Sequence, residues 1–113
     1  MSLAEKTCMP CRGGVPPLTQ EQLEPLLAEL SNWIIVAGKK LTKKVKVKDF
    51  AQSLQLANEI GDIAEQQQHH PDLLVRWGEL CIELWTHKIN GLTESDFILA
   101  AKIDKVIEQN NYQ

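Results

Sequence analysis

The stretch Leu73-Leu74-Val75-Arg76-Trp77-Gly78-Glu79-Leu80-Cys81-Ile82-Glu83-Leu84 decides the fold. Apolar residues alternate with other residues before and after Gly78-Glu79, which predicts two strands joined by a two-residue hairpin turn. The second strand is predicted over Leu80–Thr86, with an aliphatic row on one face. Because side chains alternate along a strand, His87 is expected at the end of this strand, on the face opposite the aliphatic row.

The helix before this hairpin has a recognisable start and end. Asp49 is a good N-cap residue, and apolar side chains recur after it at helical spacing. Pro71 cannot continue a helix, so we expect the helix to end near Gln68. His69 and His70 therefore lie at its C-terminal exit, where the partial negative charge of the helix end favours a protonated imidazole by about 0.3–1 kcal/mol.

Further elements flank this unit on both sides. Upstream, a helix begins near Thr19, and the β-prone residues 33–36 and the alternating segment Leu41–Val47 predict two strands. Downstream, Asn90-Gly91 predicts a turn, after which Thr93 begins a third helix. The order α-β-β-α-β-β-α predicts an α+β fold, in which three helices pack on one face of a four-stranded antiparallel sheet.

The first helix has two possible starts, because Pro25 falls within its apolar pattern. If Thr19 caps the helix, Pro25 is an interior residue that should kink it. If the helix starts near Glu24, Pro25 is a favourable first-turn residue. In either case residues 1–18 are expected to form a flexible N-terminal arm, and residues 19–113 a single domain.

Composition is that of an ordinary globular protein: 113 residues, 43% hydrophobic and 24% charged, with a net charge of −3. A small domain leaves apolar surface exposed, so self-association is expected. The net charge gives no reason to expect a nucleic-acid partner. No apolar run approaches the roughly 20 residues that cross a membrane, and no secretory pattern is present. Three cysteines fit a reducing cytoplasm better than a disulfide framework.

Two local patterns have both a functional and a simpler explanation. Cys8-Met9-Pro10-Cys11 has the spacing of a metal half-site or a thiol switch, but the surrounding glycines and prolines favour an incidental pair. Six of the twelve basic residues lie within Lys39–Lys48 and could contact an anion. A solvated strand face whose lysines prevent edge-to-edge aggregation explains them more simply.

All three histidines lie between residues 69 and 87. Pro71 biases His70 toward an extended backbone, so His69 and His70 can line one pocket that His87 closes from another side. Such a group suits acid–base catalysis at neutral pH, for example an elimination. A three-histidine metal site with an open position and purely structural histidines are the alternatives. Adjacent histidines seldom present their nitrogens to one ion, which counts against the metal.

The pattern Glu65-x₃-His69-His70-Pro71-x₅-Trp77-x₉-His87-x₈-Asp96 resembles the signature of the pterin-4a-carbinolamine dehydratases, also called 4a-hydroxytetrahydrobiopterin dehydratases. The resemblance extends from about Leu18 to Ile107. One departure is Leu73, where animal members often have Trp.

The resemblance implies a hydro-lyase that removes water from 4a-hydroxytetrahydropterin, a product of aromatic amino-acid hydroxylases, to give quinonoid dihydropterin. It implies no metal and no organic cofactor. Carried over by position, His69 and His87 would form the acid–base pair, and His70 would bind and orient the pterin. The remaining matched residues would support or contact the substrate: Glu65, Pro71, Trp77 and Asp96. For Asp96 a role in capping the third helix is equally good, and for Trp77 packing is the stronger interpretation.

The resemblance also implies an alternative function. Animal members act as dimerisation cofactors of a homeodomain transcription factor through helices that otherwise form their own tetramer. A homodimer or homotetramer is therefore expected here, with an interaction role as the second hypothesis.

Overall fold

The computed structural model of the chain describes residues 2–8 and 16–110. Cys11, the second cysteine of the Cys-x-x-Cys pattern, lies outside these residues. The helices and strands follow the predicted order α-β-β-α-β-β-α: α1 Gln20–Leu27, β1 Ile34–Val36, β2 Lys40–Lys46, α2 Phe50–Gln67, β3 Asp72–Arg76, β4 Glu79–Leu84 and α3 Glu94–Gln109. Two short 3₁₀ turns, Leu3–Glu5 and His87–Ile89, are added to them.

The four strands form one antiparallel sheet in the order β1-β2-β4-β3. Residues two apart share a face, so alternate residues of β2 and β4 point toward the helices. Leu41 and Val45 of β2 and the aliphatic row of β4 are fully buried there, and they pack with Phe97 and Leu99 of α3. This arrangement confirms the predicted α+β fold with helices on one face of the sheet.

Thr19 caps α1 in the structure, which decides between the two possible starts. Its hydroxyl accepts a hydrogen bond from the Gln22 backbone N–H, and the Gln22 side chain bonds back to the Thr19 N–H. Pro25 is therefore an interior residue, and α1 ends two residues later at Leu27.

The hairpin between β3 and β4 is shifted by one residue from the prediction. Arg76 pairs with Glu79, so the turn is Trp77-Gly78 rather than Gly78-Glu79. Gly78 has φ +77°, a conformation that glycine adopts without a steric penalty. β4 consequently runs Glu79–Leu84, and the prediction of a strand over Leu80–Thr86 is wrong at both ends.

One of the six clustered lysines is buried rather than solvated. Lys43 is 6% exposed on the helix side of β2, and its Nζ lies 2.8 Å from Asp104 Oδ1 of α3. The Trp33 indole N–H donates to the same oxygen. The ion pair ties the sheet to α3, so the expectation of a solvated face does not hold for Lys43.

Candidate active site

The three histidines meet at one cleft of about 310 Å³ beside the C-terminal end of α2. The cleft is lined by residues from the α2–β3 connection and from the segment after β4: Gln68, His69, His70, Pro71, Asp72, Trp85, Thr86, His87 and Lys88. Each histidine Nε2 faces a different carboxylate, and the three pairs differ in distance and burial.

His69 makes the most buried pair, and it follows the end of α2 by two residues. Gln68 adopts the left-handed conformation (φ +52°), and the backbone N–H groups of Gln68 and His69 both donate to the Ala64 carbonyl. This termination directs His69 toward the start of α3, where its Nε2 lies 2.6 Å from Asp96 Oδ1. The side chains of His69 and Asp96 are 11% and 0% exposed.

Asp96 serves the site and the fold with different oxygens. Its Oδ1 contacts His69, whereas Oδ2 accepts hydrogen bonds from the Thr93 backbone N–H at 2.9 Å and from the Thr86 hydroxyl at 2.8 Å. The Thr93 bond is part of the capping box that starts α3. The two interpretations left open by the sequence, a cap and a partner of the histidine cluster, therefore both describe this carboxylate.

His70 makes a pair of the same length on the outside of the protein. Its Nε2 lies 2.6 Å from Glu65 Oε2, and Glu65 belongs to the last turn of α2. The two side chains are 58% and 77% exposed, so water screens their attraction. The exposure of both side chains leaves this pair open to rearrangement.

His87 approaches the cleft from the other side. It opens the 3₁₀ turn His87–Ile89 instead of ending a strand, so the sequence-based placement is corrected here. Its Nε2 lies 4.0 Å from Asp72 Oδ2, beyond hydrogen-bond distance. The Trp85 ring packs against the His87 ring with centroids 4.3 Å apart, and Lys40 Nζ lies 3.9 Å from the Trp85 ring centroid.

The structure separates Trp77 from the other predicted site residues. Trp77 occupies the β3–β4 turn and is 74% exposed, whereas the cleft lies at the opposite end of β3, beside Asp72. Pro71 does line the cleft, as its position after His70 suggested.

Five residues that line the cleft were not among the predicted site residues: Gln68, Asp72, Trp85, Thr86 and Lys88. Asp72 directly follows the His-His-Pro segment, and a carboxylate in that position was a usable signal. Thr86 and Trp85 directly precede His87, but their contacts depend on how the chain leaves β4. That exit is not encoded in the alternation of apolar residues.

Proton transfer is the chemistry that this arrangement supports. A carboxylate only accepts hydrogen bonds, so His69 presents Nε2–H to Asp96, and its Nδ1 is left as the nitrogen that can exchange a proton. Among residues 2–8 and 16–110, no three His, Cys, Asp or Glu side chains are grouped to hold a metal ion. In the same part of the chain, no helix combines the length and the apolar character needed to cross a membrane. An α+β fold with imidazole–carboxylate pairs in an open cleft is an arrangement that acid–base enzymes use.

Comparison with known proteins identifies the family. The family model described as pterin 4 alpha carbinolamine dehydratase matches residues 16–106. The chain belongs to this family, which confirms the resemblance of the histidine signature and the predicted class of enzyme, a dehydratase that acts on a pterin carbinolamine.

Curated relatives and a solved structure agree with the family match. A Rickettsia bellii protein named for pterin-4-alpha-carbinolamine dehydratase is 57% identical over 104 residues, covering 91% of this chain and 92% of the relative. A Rubrobacter xylanophilus protein of the same name is 48% identical, covering 92% and 97%. A crystal structure from Brucella melitensis, described as a transcriptional coactivator/pterin dehydratase, has a TM-score of 0.74 at 30% identity. It matches 80% of this chain and 97% of the solved chain.

Proposed function

We propose that this chain dehydrates 4a-hydroxytetrahydropterin to quinonoid dihydropterin and water, with histidines as the acid and the base. The observation that carries the proposal is the meeting of His69, His70 and His87 at one cleft, each beside its own carboxylate. In this role the enzyme would return a pterin cofactor to its recycling route, downstream of an aromatic amino-acid hydroxylase.

The reaction needs two proton transfers. A base takes the proton from N5 of the pterin, the C4a–O bond breaks, and an acid protonates the departing hydroxyl to give water. His69 is the proposed base, because the Asp96 carboxylate at 2.6 Å stabilises the positive charge that the imidazole acquires. His87 is the proposed acid, on the other side of the cleft.

His70 is proposed to bind and orient the pterin. Its exposure and that of its partner Glu65 support a group that adjusts to the substrate rather than one fixed for proton transfer. Pro71 would constrain the backbone so that the side chains of His69 and His70 point in different directions. Trp77 is not proposed to contact the substrate in the cleft of its own chain, because it lies at the far end of β3.

A stopped-flow assay of dehydration tests these roles. We expect His69→Ala and His87→Ala each to lower kcat by at least about 10²-fold, in the range of general acid–base groups. His70→Ala should act mainly on KM, because His70 contributes binding. Gln66→Ala is a matched control, since Gln66 is exposed in the last turn of α2 and does not line the cleft.

Two outcomes would contradict the proposal. Full activity of the double variant His69→Ala/His87→Ala would remove both histidines from the mechanism. Loss of wild-type activity after exhaustive chelation, with recovery on adding zinc, would show metal chemistry in place of the two proton transfers, which need no metal or organic cofactor.

Self-association as a homodimer or homotetramer is proposed as well. Phe50 and Leu54 lie one turn apart on α2 and are 46% and 43% exposed, which supports an apolar helix face covered by another copy. The proposed location is the cytoplasm, whose reducing conditions keep thiols such as Cys8 and Cys81 free.

The same face of α2 supports the second candidate function, an interaction module. The Brucella melitensis neighbour carries the words transcriptional coactivator in its description. Light scattering of Leu54→Glu beside wild type tests the face: a smaller assembly with unchanged kcat per chain supports an interaction surface separate from catalysis. An unchanged assembly would remove this face from the proposal.

A further inference from the structure

The segment Ser2–Cys8 is packed onto α3, although the sequence favoured a flexible arm over residues 1–18. Leu3 is only 3% exposed, and Lys102 Nζ of α3 donates a 2.8 Å hydrogen bond to the Ala4 carbonyl. Lys6 forms a 2.9 Å ion pair with Glu94 at the start of the same helix. The segment precedes the residues that the family model matches, yet it is part of the same packed unit.

Cys8 contacts both helix ends that carry the buried catalytic pair. Its backbone N–H donates a 2.9 Å hydrogen bond to Gln67 Oε1, and Gln67 is the last residue of α2. Its thiol donates to the Ser95 carbonyl in the first turn of α3, with 3.5 Å between sulfur and oxygen. Cys8 is 6% exposed, and burial raises the pKa of its thiol to about 11, so the sulfur keeps its proton at neutral pH.

The His69–Asp96 hydrogen bond connects the same two segments. Gln67 lies two residues before His69, and Ser95 lies directly before Asp96. The contacts of Cys8 and the bond between His69 and Asp96 therefore lie side by side and both connect the C-terminal end of α2 to the first turn of α3. Because packed elements move as units, loosening one connection changes the distance and angle available to the other.

We propose that Gln67, held by the Cys8 amide, is a positioning residue for the His69–Asp96 pair. The segment Ser2–Cys8 thereby becomes part of the catalytic unit without touching the substrate. This inference rests on the proposed role of His69 as the base. It predicts that removing the hydrogen bond between Cys8 and Gln67 lowers kcat, because proton transfer depends on sub-ångström geometry. KM should stay nearly unchanged, because His70, the proposed binding residue, lies on the exposed side.

Three substitutions at neighbouring glutamines test the proposal in the full chain. Gln67→Met removes the acceptor at similar size, and we expect kcat to fall about fivefold with KM within about twofold of wild type. Gln67→Glu keeps an acceptor oxygen and should recover kcat to within about twofold. Gln66→Met, at the exposed neighbouring position, should leave both constants unchanged.

Cys8 alkylation by iodoacetamide, located by mass spectrometry, gives an independent measure of the hydrogen bond between Cys8 and Gln67. The buried thiol should react slowly in wild type and several-fold faster in Gln67→Met. If Gln67→Met does not fold, Lys102→Met releases the segment at Ala4 instead, and the same fall in kcat with unchanged KM is expected.

The outcomes separate this inference from the proposed function on which it rests. An unchanged kcat in Gln67→Met, together with an inactive His69→Ala, would overturn the positioning role alone. An active His69→Ala would remove the proposed base and the positioning role with it. A fall in kcat that Gln67→Glu does not recover would show a packing effect and would also overturn the inference.

Discussion

His69–Asp96 and His70–Glu65 are imidazole–carboxylate pairs with the same 2.6 Å separation, formed by adjacent histidines. The first pair is buried and joins the end of α2 to the start of α3. The second is exposed and joins Glu65, in the last turn of α2, to His70, three residues after the helix ends. Equal distances therefore describe two different interactions, because burial decides how much of the attraction water screens.

The difference in burial supports different roles for His69 and His70. A buried carboxylate with three hydrogen-bond donors cannot move far, so it fixes the imidazole that it contacts. An exposed pair is screened by water, so it would be free to exchange its partner for a substrate group. We therefore expect substitutions on the first pair to affect both folding and turnover, and substitutions on the second to affect binding alone.

The largest expected effect comes from removing each carboxylate in turn. Asp96→Ala leaves the Thr93 N–H and the Thr86 hydroxyl without their acceptor, and should lower the free energy of unfolding by about 3 kcal/mol. Its kcat should fall about 10²-fold, because His69 loses its orientation. Glu65→Ala should stay within about 0.5 kcal/mol of wild type. Urea unfolding and stopped-flow kinetics measure both effects.

A smaller effect tests the contacts of Cys8 with the end of α2 and the start of α3, next to the buried His69–Asp96 pair. The pKa of the Cys8 thiol is raised from its ordinary value of 9.0 to about 11 by burial. Above pH 9 the unfolded chain loses this proton while the folded chain keeps it, so the contribution of Cys8 to stability is constant below pH 9 and is lost as the pH rises toward 11. We expect a loss of about 1–2 kcal/mol over this interval.

Urea unfolding at pH 8 and pH 10.5 measures this loss. Cys8→Ala is the reference, because it removes the titrating group and should show a smaller decline between the two pH values. Equal declines in wild type and Cys8→Ala would mean that these contacts do not stay closed around the thiol at high pH.

The smallest effect concerns the residue that directs both histidines. Gln68 is left-handed at the end of α2, so Gln68→Gly should raise the free energy of unfolding by about 0.5 kcal/mol. Gln66→Gly, within the helix, should lower it by up to about 1 kcal/mol. Thermal unfolding of the two variants gives shifts of opposite sign if the left-handed turn is strained, and a destabilised Gln68→Gly would contradict that interpretation.

Much of the fold followed from local signals in the sequence. Asp49 and Thr93 cap α2 and α3 as their side chains suggested, Thr19 caps α1 at one of its two possible starts, and Pro71 marks the region where α2 ends. The alternation around Gly78 predicted a hairpin but placed its turn one residue late. A glycine can occupy either central position of a two-residue turn, and only the pairing of Arg76 with Glu79 decides between them.

The site was less predictable, because its contacts join distant parts of the chain. The histidine cluster followed from the sequence, but its division into buried and exposed pairs depends on the angle at which α2 meets α3. Trp77 is close to His70 in sequence and far from it along β3, since an extended strand covers about 3.3 Å per residue. The packing of residues 2–8 could not be read from Cys8, because its partners Gln67 and Ser95 lie far along the chain.

Asp96 connects the dynamics of α3 to the chemistry proposed for the cleft. The first turn of a helix frays more readily than its centre, and each opening of that turn would withdraw the carboxylate from His69. The molecules competent for turnover would then be those in which this turn is closed. Hydrogen exchange of the Asp96 amide, whose N–H donates to the Thr93 carbonyl, would report their fraction directly. Local opening, well below the temperature of global unfolding, would thus set the upper temperature for activity.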